Sequence, residues 1–65
     1  MIYINGQEME YRPGISLSQL LEELGYDTKR IAVEKNQEIV PRAAYENTAV
    51  EEGDHLEVVR FVGGG

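Results

Sequence analysis

The stretch ISLSQLLEELGY, residues 15–26, decides the fold, because it specifies one helix at both of its ends. Ser16 is placed as N-cap, and Gln19 three residues on completes a capping box. Ile15 before the cap and Leu20 after it are spaced as a hydrophobic staple. Leu17, Leu20, Leu21 and Leu24 recur on one helical face, while Gln19, Glu22 and Glu23 point away from it. Gly25 suits the left-handed residue that ends a helix, with Tyr26 packing back onto Leu21. A helix of about nine residues does not survive alone in water, so the leucine stripe must lie on something else. Each buried leucine contributes on the order of 1.5–3 kcal/mol.

The flanking sequence supplies a sheet. Residues 1–6 read as a strand with Ile2 and Ile4 on one face, and Asn5-Gly6 is a strong type I′ hairpin signal. Residues 7–12 return as the second strand, which sets Ile4 opposite Gln7 and Ile2 opposite Met9. The apolar side chains then share one side. After Pro13-Gly14 and the helix, residues 30–35 form a strand carrying Ile31 and Val33. Asn36-Gln37 is a turn, and residues 38–40 form a short strand that Pro41 stops, having no N–H for a ladder. Residues 42–50 lack a clean period and read as turns with a short 3₁₀ segment. Residues 52–54 make a tight turn, and residues 56–62 the last strand. A hairpin, one packing helix and further strands make an α+β domain, a mixed β-sheet against one main α-helix.

Composition narrows the chemistry. Sixty-five residues give one domain, and a chain of this size buries only about 60% of the surface exposed when unfolded. A water-excluding catalytic pocket would consume most of such a core. There is no cysteine, so disulfides, zinc-thiolate sites and thiol nucleophiles are excluded; His55 is the only histidine. Beside Asp54 and Glu57, just after a turn, it reads as an ordinary surface side chain. Glu51, Glu52 and Asp54 read as a solvated acidic loop. The net charge of −6 disfavours nucleic acid. No apolar stretch is long enough for a membrane span and no charged leader precedes a hydrophobic run, so a cytoplasmic location is expected.

The last residues stand apart. Gly63-Gly64-Gly65 follow directly on an apolar strand, yet three glycines neither pack nor hold structure. One reading is a frayed end or a linker remnant. The other is a carboxylate delivered on a thin stalk: at 3.3–3.6 Å per residue, residues 62–65 span about 13 Å. Without β-carbons such a tail threads a channel too narrow for other residues. Its carboxylate could attack the α-phosphate of ATP, giving an acyl-adenylate open to displacement by sulfur or an amine. Leu56 and Val58 share the parity that faces the helix. Val59 and Phe61 take the other parity with Glu57, so they face outward as a contact surface unless residues 42–50 cover them or the strand twists. Phe61 is the expected partner anchor, with Val59 and Val62 beside it.

These residues carry a resemblance. MIYING at the start, LSQLLEELG in the helix, AVEKNQEIVPR in the middle and EGDHLEVVRFVGGG at the end resemble the ThiS sulfur carriers of thiamine biosynthesis, over the whole chain. The resemblance implies a β-grasp (ubiquitin-like) domain over residues 1–62 and a flexible glycine tail over residues 63–65. It implies that a ThiF-like enzyme adenylates Gly65 with ATP and that a sulfur donor protein converts it to a thiocarboxylate. A ThiG-like thiazole synthase then takes the sulfur into thiazole. Gly63 and Gly64 would be the passage into both partners' active sites. The chain itself would be a co-substrate rather than an enzyme and would bind no cofactor, ATP being used by the activating partner. Lys35 stands where the family leads one to expect an apolar residue. A MoaD-like carrier for molybdopterin or another metabolite would use the same tail chemistry. A protein modifier would pass the acyl group to a lysine amine, and a plain binding module would not use its glycines.

Overall fold

In the computed structural model, residues 1–61 are described. They form strands β1 (Ile2–Ile4) and β2 (Gln7–Met9), helix α1 (Leu17–Glu23), and strands β3 (Ile31–Lys35), β4 (Glu38–Val40) and β5 (His55–Arg60). Short 3₁₀ helices, Thr28–Arg30 and Arg42–Asn47, precede β3 and follow β4. The sheet order is β2-β1-β5-β3-β4. The first and last strands meet in parallel at its centre, and every other pair is antiparallel. This is the mixed α+β sheet with one main helix that the sequence predicts.

The local signals are realised at their own positions. Asn5 and Gly6 both have positive φ, 50° and 83°, and the hairpin register sets Ile2 opposite Met9 and Ile4 opposite Gln7. The Ser16 side chain accepts from the Gln19 N–H at 3.1 Å, while the Gln19 side chain accepts from the Ser16 N–H at 3.0 Å. At the other end Gly25 has φ 85°, its N–H bonds to the Glu22 carbonyl, and the Tyr26 N–H reaches the Leu21 carbonyl. Those two bonds are a Schellman motif, which satisfies carbonyls the last turn would otherwise leave free.

Four strands differ from the sequence expectation at their ends, the first spanning Ile2–Ile4 within the expected residues 1–6. The second strand stops at Met9 instead of residue 12, and Arg30 belongs to a 3₁₀ turn capped by the Asp27 side chain. The last strand starts at His55 and ends at Arg60; residue 62 lies outside the described residues. The second strand stops where its pairing with Ile2 stops, which local propensity does not encode.

The core lies between one sheet face and α1. Leu17, Leu20 and Leu21 bury against Ile2, Ile4, Ile31, Val33, Leu56 and Val58. The segment Arg42–Asn47 packs on the helix side and adds Tyr45, with Val50 following. Burial raises the Tyr45 phenol above its ordinary value of 10.0, against a smaller opposite pull from the Arg42 charge. Among the described residues no helix is long and apolar enough to cross a membrane.

Candidate functional site

Strand β5 leads to the glycine tail, and its root is tied down along its length. The Tyr3 and Asn5 N–H groups donate to the Asp54 and Leu56 carbonyls, each at 2.9 Å. Where β1 ends, the Asn5 side chain continues the ladder: its amide oxygen accepts from the Val58 N–H at 2.8 Å, and its amide nitrogen donates to the Val58 carbonyl at 3.2 Å. On the opposite edge β3 pairs with β5 from Leu56 to Arg60, and the Phe61 N–H adds a 2.9 Å bond to the Arg30 carbonyl. The Arg60 guanidinium sits 4.5 Å from the Tyr26 ring centroid, a cation–π contact that holds its stem inward. The strand is therefore hydrogen-bonded as far as residue 61. Val62, Gly63, Gly64 and Gly65, the expected tail and its base, lie outside the described residues.

At its start β5 is pinned by a buried carboxylate. Asp54, expected in a solvated acidic loop, is only 4% exposed. One carboxylate oxygen accepts from the Asn36 amide at 2.9 Å and the other from the Glu51 N–H at 2.8 Å. The Lys35 ammonium is 3.6 Å away and also donates to the Ala49 carbonyl at 3.2 Å. Lys35 has the inward parity of Ile31 and Val33. Its stem passes along the end of the core and its charge ends beside Asp54, which answers the question posed by a lysine at an apolar position. Asn36 closes the arrangement, its side-chain oxygen accepting from the His55 N–H at 2.9 Å. His55 is exposed, as expected, with its ring stacked on Tyr3 at 4.5 Å.

The second sheet face is open. Val59 is 60% and Phe61 55% exposed, as their parity predicts. Residues 42–50 do not cover them, because that segment packs on the helix side. Ile39 of β4, at 77%, joins the same outer face, a residue that sequence reasoning missed. In the run Glu38–Val40 two apolar residues are adjacent, and parity alone does not say which turns inward. Ala32 lies opposite Val59, and Glu34 lies opposite both Glu57 and Ile39. The open face is thus an apolar strip beside the tail root, bordered by carboxylates. Among the described residues no group of three or more potential metal ligands occurs.

Comparison with known proteins agrees with this geometry. The model of the ThiS family matches residues 2–65. A thiazole synthase of Paramagnetospirillum magneticum is 47% identical over 64 residues, which cover 98% of this chain but 20% of that protein. The chain thus spans about one fifth of the thiazole synthase it matches. The sulfur carrier protein ThiS of Bacillus subtilis is 30% identical over 66 residues, and the match covers all of both chains. The crystal structure of the thiamine biosynthesis protein ThiS from Geobacter metallireducens superposes with a TM-score of 0.80 at 30% identity, covering 98% of this chain and 97% of that one.

Proposed function

The chain belongs to the ThiS family, and from that premise we propose that it is a sulfur carrier of thiamine biosynthesis whose working group is the Gly65 carboxylate. The observation that carries the reading is the full-length match to a sulfur carrier protein, joined to a β5 strand hydrogen-bonded out to Phe61. Val62-Gly63-Gly64-Gly65 follow that anchor in sequence. Residues 1–62 act as the body and residues 63–65 as the part that enters a partner. Lacking β-carbons, Gly63 and Gly64 pass where other residues would jam.

The chemistry belongs to the partners. A ThiF-like enzyme brings ATP, the Gly65 carboxylate oxygen attacks the α-phosphorus, and pyrophosphate leaves. A sulfur donor protein then supplies a hydrosulfide equivalent. It adds to the acyl carbon and expels AMP, leaving a thiocarboxylate. A thiazole synthase takes the sulfur. In the Paramagnetospirillum relative a segment like this chain forms part of a thiazole synthase, which supports that acceptor. The chain is a co-substrate, not an enzyme. It binds no cofactor of its own, and it works in the cytoplasm. Val59, Phe61 and Val62 form the contact surface, the first two exposed on the sheet face that leads to the tail.

Deleting Gly64 and Gly65 tests the assignment. The truncated chain is expected to keep its fold and its melting temperature while losing all sulfur transfer to thiazole in a reconstituted system. Transfer at the full-length rate would refute it.

A further inference from the structure

The Asn5-Gly6 turn joins two features whose chemistries conflict. It is the one place in the chain where asparagine precedes glycine; Asn36 and Asn47 are followed by Gln37 and Thr48. The side-chain carbonyl carbon of asparagine is open to attack by the backbone nitrogen of the next residue, and a glycine there leaves that nitrogen unscreened by a side chain. Both turn residues are exposed, and beyond its chain neighbours nothing lies within 4 Å of where a Gly6 Cβ would stand. Water therefore reaches the turn freely. Yet the same Asn5 amide holds β5, its oxygen accepting from the Val58 N–H at 2.8 Å and its nitrogen donating to the Val58 carbonyl at 3.2 Å. The β1–β5 register ends at Ile4 and Leu56. Past Leu56, the Asn5 side chain is what β1 contributes to the strand that leads to the tail.

We propose that Asn5 is a spontaneous deamidation site guarded by its own hydrogen bonds to Val58, and that its conversion to aspartate or isoaspartate loosens β5. The Gly6 nitrogen adds to the Asn5 Cγ, the Cγ–Nδ2 bond breaks, and ammonia leaves with the Gly6 proton, closing a succinimide ring. Water then opens the ring on either side of the shared nitrogen. One opening gives aspartate, and the other gives isoaspartate, in which the main chain runs through Cγ. Ring closure removes Nδ2 and swings Cγ back onto the main chain, so the two bonds to Val58 must open first. Neither product restores both of them. A carboxylate has no donor for the Val58 carbonyl and sets a negative oxygen against it. Isoaspartate adds a main-chain carbon next to the Asn5 N–H that bonds the Leu56 carbonyl. None of this depends on which partner the tail serves.

The test uses the wild-type chain, incubated warm at neutral pH both folded and in urea. Peptide mapping by mass spectrometry follows the exchange of an amide NH₂ for OH, and enzymatic methylation counts isoaspartate. In urea the exchange is expected at Asn5, well ahead of Asn36 and Asn47, with isoaspartate among the products. The folded chain is expected to react at least about tenfold more slowly, because two hydrogen bonds must open first. As urea is raised below the unfolding transition, the rate should climb in step with hydrogen exchange at the Val58 N–H. Modified chain, separated by its added negative charge, is expected to melt a few degrees lower and to exchange the Val58 N–H faster. Asn5→Asp should reproduce part of both changes. No exchange at Asn5 in urea, or exchange without isoaspartate, overturns the modification site. A folded rate equal to that in urea, or one that departs from Val58 exchange, overturns the guard. A modified chain that keeps the wild-type melting temperature and Val58 protection overturns the link to β5.

Discussion

Replacing Asp54 by alanine removes the pin at the start of β5, and the cost follows from its contacts. The carboxylate is almost fully buried and accepts two hydrogen bonds, at 2.8 and 2.9 Å, with the Lys35 ammonium at 3.6 Å. Hydrogen bonds to a charged group are worth about 1.5–3 kcal/mol each, and losing one partner leaves the donors unsatisfied. Lys35 also loses its only ion-pair partner among the described residues, which brings the expected loss to about 3–5 kcal/mol. At about 0.05–0.15 kcal/mol per residue, a domain of this length holds roughly 3–10 kcal/mol in all. The variant should therefore lose about a third or more of the stability of the fold. Asp54→Asn keeps the shape and one acceptor but turns an amide NH₂ toward a donor, and should cost about 1–2 kcal/mol. Urea unfolding followed by circular dichroism measures both. If Asp54→Ala shifts stability by less than about 0.5 kcal/mol, the ordinary range for an exposed surface position, the pin is not structural.

Three further outcomes are expected. Asn5→Gly keeps the positive φ but strips both bonds to Val58, at a cost of about 1–3 kcal/mol that calorimetric melting would register; an unchanged melting temperature would mean the amide clamp adds nothing. Phe61→Ser leaves an exposed site folded, with stability within about 0.5 kcal/mol of wild type, yet weakens the complex with the ThiF-like enzyme about tenfold if Phe61 is an anchor. Burial raises the folded-state Tyr45 value above its unfolded 10.0, so its contribution is complete below pH 10 and lost as pH rises through the raised value; Tyr45→Phe should flatten that alkaline fall in melting temperature.

What the sequence disclosed was mostly what neighbours in the chain decide. The Asn5-Gly6 turn, the Ser16–Gln19 box, the Gly25 stop and the parity of Leu56 and Val58 depend on residues a few positions apart, and all are found in place. The features it concealed link distant residues. Asn5 reads as a turn former, and its second task on Val58, 53 residues away, has no local signature. Asn36 reads likewise, although its amide bonds Asp54 and His55. Asp54 looked solvated because charge is a surface signal until a lysine, an amide and a backbone N–H converge on it. Tyr45 lacked any period to mark it as core. At the site, the outward parity of Val59 and Phe61 was readable, whereas the juxtaposition of Glu34 with Glu57 emerges only from the β3–β5 register.

The most direct test of the central claim is the intact mass of the purified chain after incubation with ATP, a ThiF-like adenylating enzyme and a sulfide source. A gain equal to the exchange of one oxygen for sulfur is expected, confined by fragmentation to Gly65 and absent when Gly65 is deleted. An unchanged mass with an enzyme that loads another carrier, or a gain located elsewhere in the chain, would contradict it.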